Sequence, residues 1–372
     1  MPPMQDATSG SSHRPLPASA RRFIPGGAAT FLAALSLTAL PGAAADGRPG
    51  QAKLRALAPS AVVMMYHRFG ESGLPATNIR IPQFEAHLKE LATGRYDVRP
   101  LPEIVAALKS GRTLKDRTVA LTIDDAFRSV YREAWPRLRR AGLPFTLFVA
   151  TDAVDGGGRD FMTWNQVREM AKAGVTIAAH SASHAHLATL TPEAVGRELE
   201  KSNARFEKEL GFRPRLFAYP YGEASGAVKG AARAAGYTAA FGQHSGALHG
   251  QADFFYLPRF ALNERYGSLK RFRRAANVLP LYATDITPRD PTLGPNPPAF
   301  GFTVGAGIRG LGVLACYSSA HGKLKISRLG SRRIEVRPPR PFAAGRARIN
   351  CTLPAGGGRW RWFGYQFFVP GK

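Results

Sequence analysis

The sequence predicts an α/β fold with a mainly parallel sheet, either a βα barrel or a doubly wound sheet, followed by a small all-β, sandwich-like C-terminal domain. Three observations lead there. Between residues 58 and 285, six short apolar β-branched runs alternate with amphipathic segments of helical period. Polar and titratable residues collect at the C-terminal ends of those runs, where a barrel gathers its chemistry. Beyond a Pro-rich stretch the pattern turns to short alternating segments broken by turn residues.

At the N-terminus, Arg21 and Arg22 precede the apolar run FIPGGAATFLAALSLTALPGAAA, which ends on Ala43, Ala44 and Ala45. That order of charge, apolar segment and small residues predicts a signal peptide over 1–45 and export to the periplasm or the exterior. The paired arginines loosely match the route that exports folded proteins. A retained membrane anchor is the alternative, although Pro25 and Pro41 interrupt a run near the short limit for spanning. Residues 46–57 read as a polar lead-in.

The strands are AVVMMYH (61–67), TVALTIDD (118–125), FTLFVAT (145–151), VTIAAH (175–180), RLFAYP (215–220) and YTAAFG (237–242). Each is apolar on both faces, as a parallel strand covered by helices must be. Helical patterns such as IPQFEAHLKELA, SVYREAWPRLRRAG, TWNQVREMAKAG and TPEAVGRELEKSNARFEKELG lie between them, several closing on glycine. Residues 286–299 read as a Pro-rich linker and 300–372 as a basic β domain.

The chain carries 51 Lys and Arg against 26 Asp and Glu, a net charge of +25. Residues 299–372 hold 13 of those cations and one acid, Glu335, so about half of the excess sits in the C-terminal domain. Such a charge suits an anionic envelope surface or an acidic polymer; nucleic acid is set aside, because no recognition motif is present. Cys316 and Cys351 are the only cysteines. Export predicts a disulfide between them, with two buried thiols as the alternative.

Asp124 and Asp125 end one strand, and His180, His184 and His186 follow another. Adjacent carboxylates leave a turn in different directions, so one can ligate a metal while its neighbour faces the water bound there. One carboxylate with two imidazoles suits a divalent cation and keeps coordination positions open. The ligand candidates are Asp125, His180 and His184, whose histidines are four residues apart; His186 falls outside that spacing and is expected on the surface.

TIDD (122–125), HSASH (180–184) and RLFAYPYG (215–222), in this order, resemble the three leading motifs of the polysaccharide deacetylases, the NodB-like family 4 carbohydrate esterases. The resemblance covers about 58–285 and implies a distorted (β/α)7-type barrel. It implies a metal on Asp125, His180 and His184, most often Zn2+, with Co2+ or Ni2+ also used. Asp124 becomes the general base, the backbone N–H of Tyr221 the oxyanion donor, and Arg215 the cation that holds Asp124. Tyr219, Pro220 and Gly222 would shape the adjoining wall.

The family's later motif with a general-acid histidine has no counterpart, since YLPRF (256–260) contains none. His67 in MMYHRF is the first substitute, because it ends the first strand; His244 in FGQHSG is the second. MMYHRF and FMTWNQVREM are similar to deacetylases of poly-N-acetylglucosamine, with Trp164 as a sugar-stacking candidate. The expected partner is an acetylated polysaccharide. The rival readings are an O-acetyl (xylan-type) esterase of the same fold and a non-catalytic glycan-binding protein. RWRWFGYQFF, with Trp360 and Trp362, could stack sugars or pack in the C-terminal core. Oligomeric state is not readable.

Overall fold

The computed structural model describes residues 59–371, so the signal peptide predicted over 1–45 and the lead-in over 46–57 lie outside the described residues. Among the described residues no helix is long and apolar enough to cross a membrane.

Six parallel strands stand side by side in chain order: β1 (Ser60–Tyr66), β2 (Thr118–Asp124), β3 (Thr146–Val149), β4 (Thr176–Ala179), β5 (Leu216–Ala218) and β6 (Ala239–Phe241). All six were legible as apolar runs. The sheet curls, and residues 257–261 carry the curl from its last strand back to its first. Leu257 bridges to Phe241 in parallel, and β7 (Phe260–Ala261) pairs in parallel with Met64 and Met65 of β1. Pro258 and Arg259 fall between the two pairings. A proline there removes no ladder hydrogen bond that a strand needs.

Alternation along β2 sets the site. Val119, Leu121 and Ile123 pack outward with helix residues such as Phe84, Val167 and Val195, whereas Ala120 joins Ala61, Val63, Phe148, Ala178 and Ala218 inside. A period of two puts Thr122 and Asp124 on that inner face. The inner face is rich in alanine, which leaves room for a long side chain near the mouth. The lower end is plugged by the Leu101–Ser110 helix through Leu101, Ile104, Val105 and Leu108. Gly111 ends that helix at φ +70°, a left-handed position suited to glycine. It was not among the helices predicted.

The C-terminal region is one curled eight-stranded sheet. Its order is Leu279–Pro280, Trp360–Val369, Gly345–Pro354, Ala315–Ser318, Gly322–Leu329, Arg333–Arg337, Phe300–Val304 and Ala283–Thr287. It folds over its own apolar face, with Phe300 edge-on to Phe367. Cys316 and Cys351 face each other on neighbouring strands and are disulfide-bonded.

The stretch expected as a linker is a docked strap. The N–H of Leu293, a buried residue, donates to Phe368 O, and Asp290 Oδ2 accepts the Gly226 N–H. The core of the sheet is continuous with the outer layer of the barrel, Trp362 lies edge-on to Phe260, and Arg359 pairs with Asp116 at 2.8 Å.

Candidate active site

The three motifs meet at the C-terminal ends of β2, β4 and β5, and there the backbone is unusual. Asp125, Ala126, Ser181, His184 and Tyr221 all have φ between +57° and +75°, although none is glycine. A left-handed L-residue costs on the order of 1 kcal/mol, and such positions gather where a site must aim its side chains.

Asp125 leaves β2 on that turn. Its Oδ1 lies 3.3 Å from His180 Nε2 and 3.2 Å from His184 Nε2, and one ligating atom from each of the three residues falls within a 4.8 Å cluster. His180 is fully buried, and its Nδ1 is 2.7 Å from Ala218 O. That bond takes the ring's N–H and leaves the Nε2 lone pair facing Asp125. The loop carrying His184 is held by Glu198, whose carboxylate accepts both the N–H and the hydroxyl of Ser183 at 3.0 Å. Asp125 Oδ1 and His180 Nε2 are buried with no hydrogen-bond partner. Two orphaned donor atoms converging on an imidazole are what a divalent cation would satisfy. Burial opposes charge on Asp125, yet the imidazoles around it, His180, His184 and His67, together outweigh burial and hold the carboxyl well below its ordinary range.

Asp124 points inward beside that cluster and is fully buried. Arg259, also fully buried, clamps it with two bonds, Nη1 to Oδ1 at 2.7 Å and Nη2 to Oδ2 at 2.8 Å. The guanidinium is itself anchored by Nε to Gly242 O at 3.0 Å and lies 5.2 Å from the Phe148 ring centre. Burial pushes the Asp124 carboxyl up, but Arg259, then His180 and His67, bring it below its usual value. Register places Tyr66 opposite Ile123, so His67 arrives level with Asp124, its Nε2 3.8 Å from Oδ2. Burial lowers the His67 pKa against the pull of Asp125 and Asp124.

The polysaccharide deacetylase family profile matches residues 111–240, the segment that contains Asp124, Asp125, His180, His184 and Tyr221. The chain carries a polysaccharide deacetylase domain. It is 28% identical over 177 residues to the putative polysaccharide deacetylase YxkH of Bacillus subtilis, an alignment covering 47% of this chain and 61% of that protein. It is 25% identical over 246 residues to a poly-β-1,6-N-acetyl-D-glucosamine N-deacetylase of Staphylococcus aureus, covering 59% and 84%. Among solved structures, the Streptococcus pyogenes deacetylase PplD in complex with acetate shares the fold at a TM-score of 0.55 and 21% identity, covering 58% of this chain and 98% of that one. IcaB from Ammonifex degensii does so at 0.53 and 24%, covering 59% and 98%.

Within the deacetylase domain, several expected residues take other places. Arg215 does not hold Asp124. It precedes β5 at the opposite end of the strands, beside Thr176 and Lys109, and its backbone oxygen accepts from Thr238. Arg259 has that role because barrel closure carries it across the interior, and its only trace in the sequence is the single cation of YLPRF. Trp164 is no open stacking surface: it is buried edge-on to Phe206, and its Nε1 donates to Asp155 at 2.6 Å. Tyr219 is fully buried, its hydroxyl donating to Phe255 O at 2.8 Å. His244 is buried against Tyr256 and lines a cavity of about 350 Å3 between barrel and C-terminal sheet, away from Asp124; burial, then Arg348, lowers its pKa to about 3.

Tyr221 stands at the mouth, its ring 4.6 Å from that of His184. His186, expected on the surface apart from the site, is half exposed but stacks on Tyr221 at 3.9 Å, with Nδ1 2.7 Å from the buried carboxylate of Glu223.

Proposed function

We propose that the protein is a metal-dependent N-deacetylase that hydrolyses N-acetyl groups on an N-acetylglucosamine-containing polysaccharide and releases acetate. The observation that carries this reading is the pairing of a clamped, buried carboxylate, Asp124, with the Asp125–His180–His184 donor set beside it, in which Asp125 Oδ1 and His180 Nε2 have no hydrogen-bond partner. The names of the Staphylococcus aureus and Bacillus subtilis relatives support the substrate class.

Asp125, His180 and His184 would hold a divalent cation, with Zn2+ the first choice for this donor set and Co2+ or Ni2+ as substitutes. When bound, it supplies Lewis acidity toward the acetyl carbonyl and toward water. Asp124 takes a proton from water as the water oxygen bonds to the carbonyl carbon, and Arg259 keeps both carboxylate oxygens in place meanwhile. The Tyr221 N–H faces the developing oxyanion. His67, its Nε2 3.8 Å from Asp124 Oδ2, would pass the proton that Asp124 has taken to the leaving nitrogen as the C–N bond breaks, which yields acetate and a free amine. Export to the periplasm or exterior would bring the domain to its polymer, and the basic C-terminal sheet, with Trp360 exposed, would meet an anionic envelope surface.

Acetate release from N-acetylglucosamine oligomers, by metal-stripped protein with and without added zinc, tests this reading. Release should require zinc, and Asp124→Asn should lower it by about 10²- to 10⁴-fold. Faster release from acetylated xylan would move the assignment to an O-acetyl esterase. Stoichiometric metal with no release from any acetylated glycan would leave a binding protein.

A further inference from the structure

The C-terminal sheet reaches the catalytic mouth through a buried glutamine. Gln366, on the Trp360–Val369 strand, is fully buried, and both ends of its amide are used. Its Oε1 accepts from Arg348 Nε at 2.7 Å, which fixes the amide's orientation, and its Nε2 donates to Tyr221 O at 3.1 Å. The single proton of the Tyr256 hydroxyl lies between Gln366 O at 2.9 Å and Gly222 O, the next carbonyl of the same turn, at 3.2 Å. Above the turn, Arg346 of the neighbouring strand sits 5.6 Å from the centre of the Tyr221 ring, opposite a carboxylate, Glu223, that it approaches to 3.8 Å.

The turn needs such a hold. Tyr221 is left-handed at φ +59° and Gly222 at φ +69°, and a Cβ on Gly222 would come within 2.5 Å of Gln243 N. The peptide that Gln366 grips lies on the C-terminal side of Tyr221, and the N–H that would face an oxyanion lies on its N-terminal side, in the peptide shared with Pro220. The two planes are coupled through the Tyr221 dihedrals. Holding one in a conformation that an L-residue resists therefore holds the other.

We propose that Gln366 is a positioning residue of the deacetylase: through the Tyr221 carbonyl it fixes the direction of the Tyr221 N–H, which makes the C-terminal sheet part of the catalytic wall rather than an appended module. The inference rests on the deacetylase reading of Tyr221. It differs from a binding role for the sheet, because it affects the chemical step rather than the hold on polymer.

Gln366→Glu is the sharper probe, since it keeps an acceptor for Arg348 and replaces the donor to Tyr221 O with a repelling oxygen. Gln366→Met removes both bonds at similar length. In the full chain, with N-acetylglucosamine oligomers and zinc, each variant should lose about 10- to 100-fold in kcat while KM stays within about threefold. Zinc affinity should match the wild type, and amide exchange over residues 219–223 should accelerate at least about tenfold. Wild-type kcat and wild-type exchange in either folded variant would overturn the proposal. So would a loss of turnover matched by a loss of zinc affinity, which would make Gln366 a general support of the fold. Should the wild type release no acetate at all, the deacetylase reading fails, and the exchange measurement still decides whether Gln366 braces the turn.

Discussion

Asp124 and Arg259 form a fully buried ion pair whose charges are matched by two parallel hydrogen bonds. Such a pair adds little stability over an apolar pair of the same volume, but removing one partner strands the other, at about 3 to 5 kcal/mol. Arg259→Met should therefore lower the thermal midpoint sharply and also abolish turnover, because the carboxylate loses its orientation and its reason to stay ionised. Lys at this position should restore part of the stability without restoring the rate, since one ammonium cannot make the two-point clamp. Thermal melts and acetate release on both variants separate the two effects. The sequence displayed Asp124 openly, as half of a carboxylate pair at a strand end. Its partner was hidden, because a single arginine in an apolar stretch carries no mark of where it points.

Among elements, the Pro192–Leu210 helix has a task beyond packing. Thr191 caps its start, accepting the Ala194 N–H, and Glu198 one turn further on reaches across to the His180–His184 loop. A loop with two left-handed residues, Ser181 and His184, holds its imidazoles in register only if its own backbone is tied down. Glu198→Ala should therefore weaken zinc binding by about 10- to 100-fold, in line with the loss of other groups that orient metal ligands. Competitive zinc titration against a chelator reads this directly. An unchanged affinity would assign the Ser183–Glu198 bonds to the surface of the loop alone.

At the scale of the whole molecule, three histidines among the described residues are buried away from the catalytic cluster. Burial, followed by an opposing bond to Gly267 O, lowers His87 to about 4; burial lowers His249 to about 4, and burial with Arg348 lowers His244 to about 3, all from an ordinary 6.5. The unfolded chain thus binds protons that the folded one refuses. The stability these groups contribute is complete above pH 6.5 and is lost as pH falls from there, toward 4 for His87 and His249 at about 3 kcal/mol each and toward 3 for His244 at about 5 kcal/mol. The thermal midpoint should decline steadily over that interval. His87→Gln, which keeps polar reach toward Tyr66 and Gly267, should give a shallower decline. Because barrel and sheet share one core, the melt should be a single transition at each pH.

What the sequence determined by itself is local. Each strand announced itself over six to eight residues by its apolar composition, and the ligands Asp125, His180 and His184 announced themselves by spacing within a few residues of a strand end. Short-range geometry converts those spacings into positions with little help from the rest of the chain. The clamp on Asp124 lies 135 residues away, and the brace on Tyr221 lies 145 residues away. The tertiary structure alone decided these, along with the inward burial of Tyr219 and Trp164 and the docking of the Pro-rich strap. The physical reason is that such partners are chosen by how a curled sheet closes and which edge a second sheet covers. Periodicity specifies which face of a strand is buried, but not which distant side chain will meet it there.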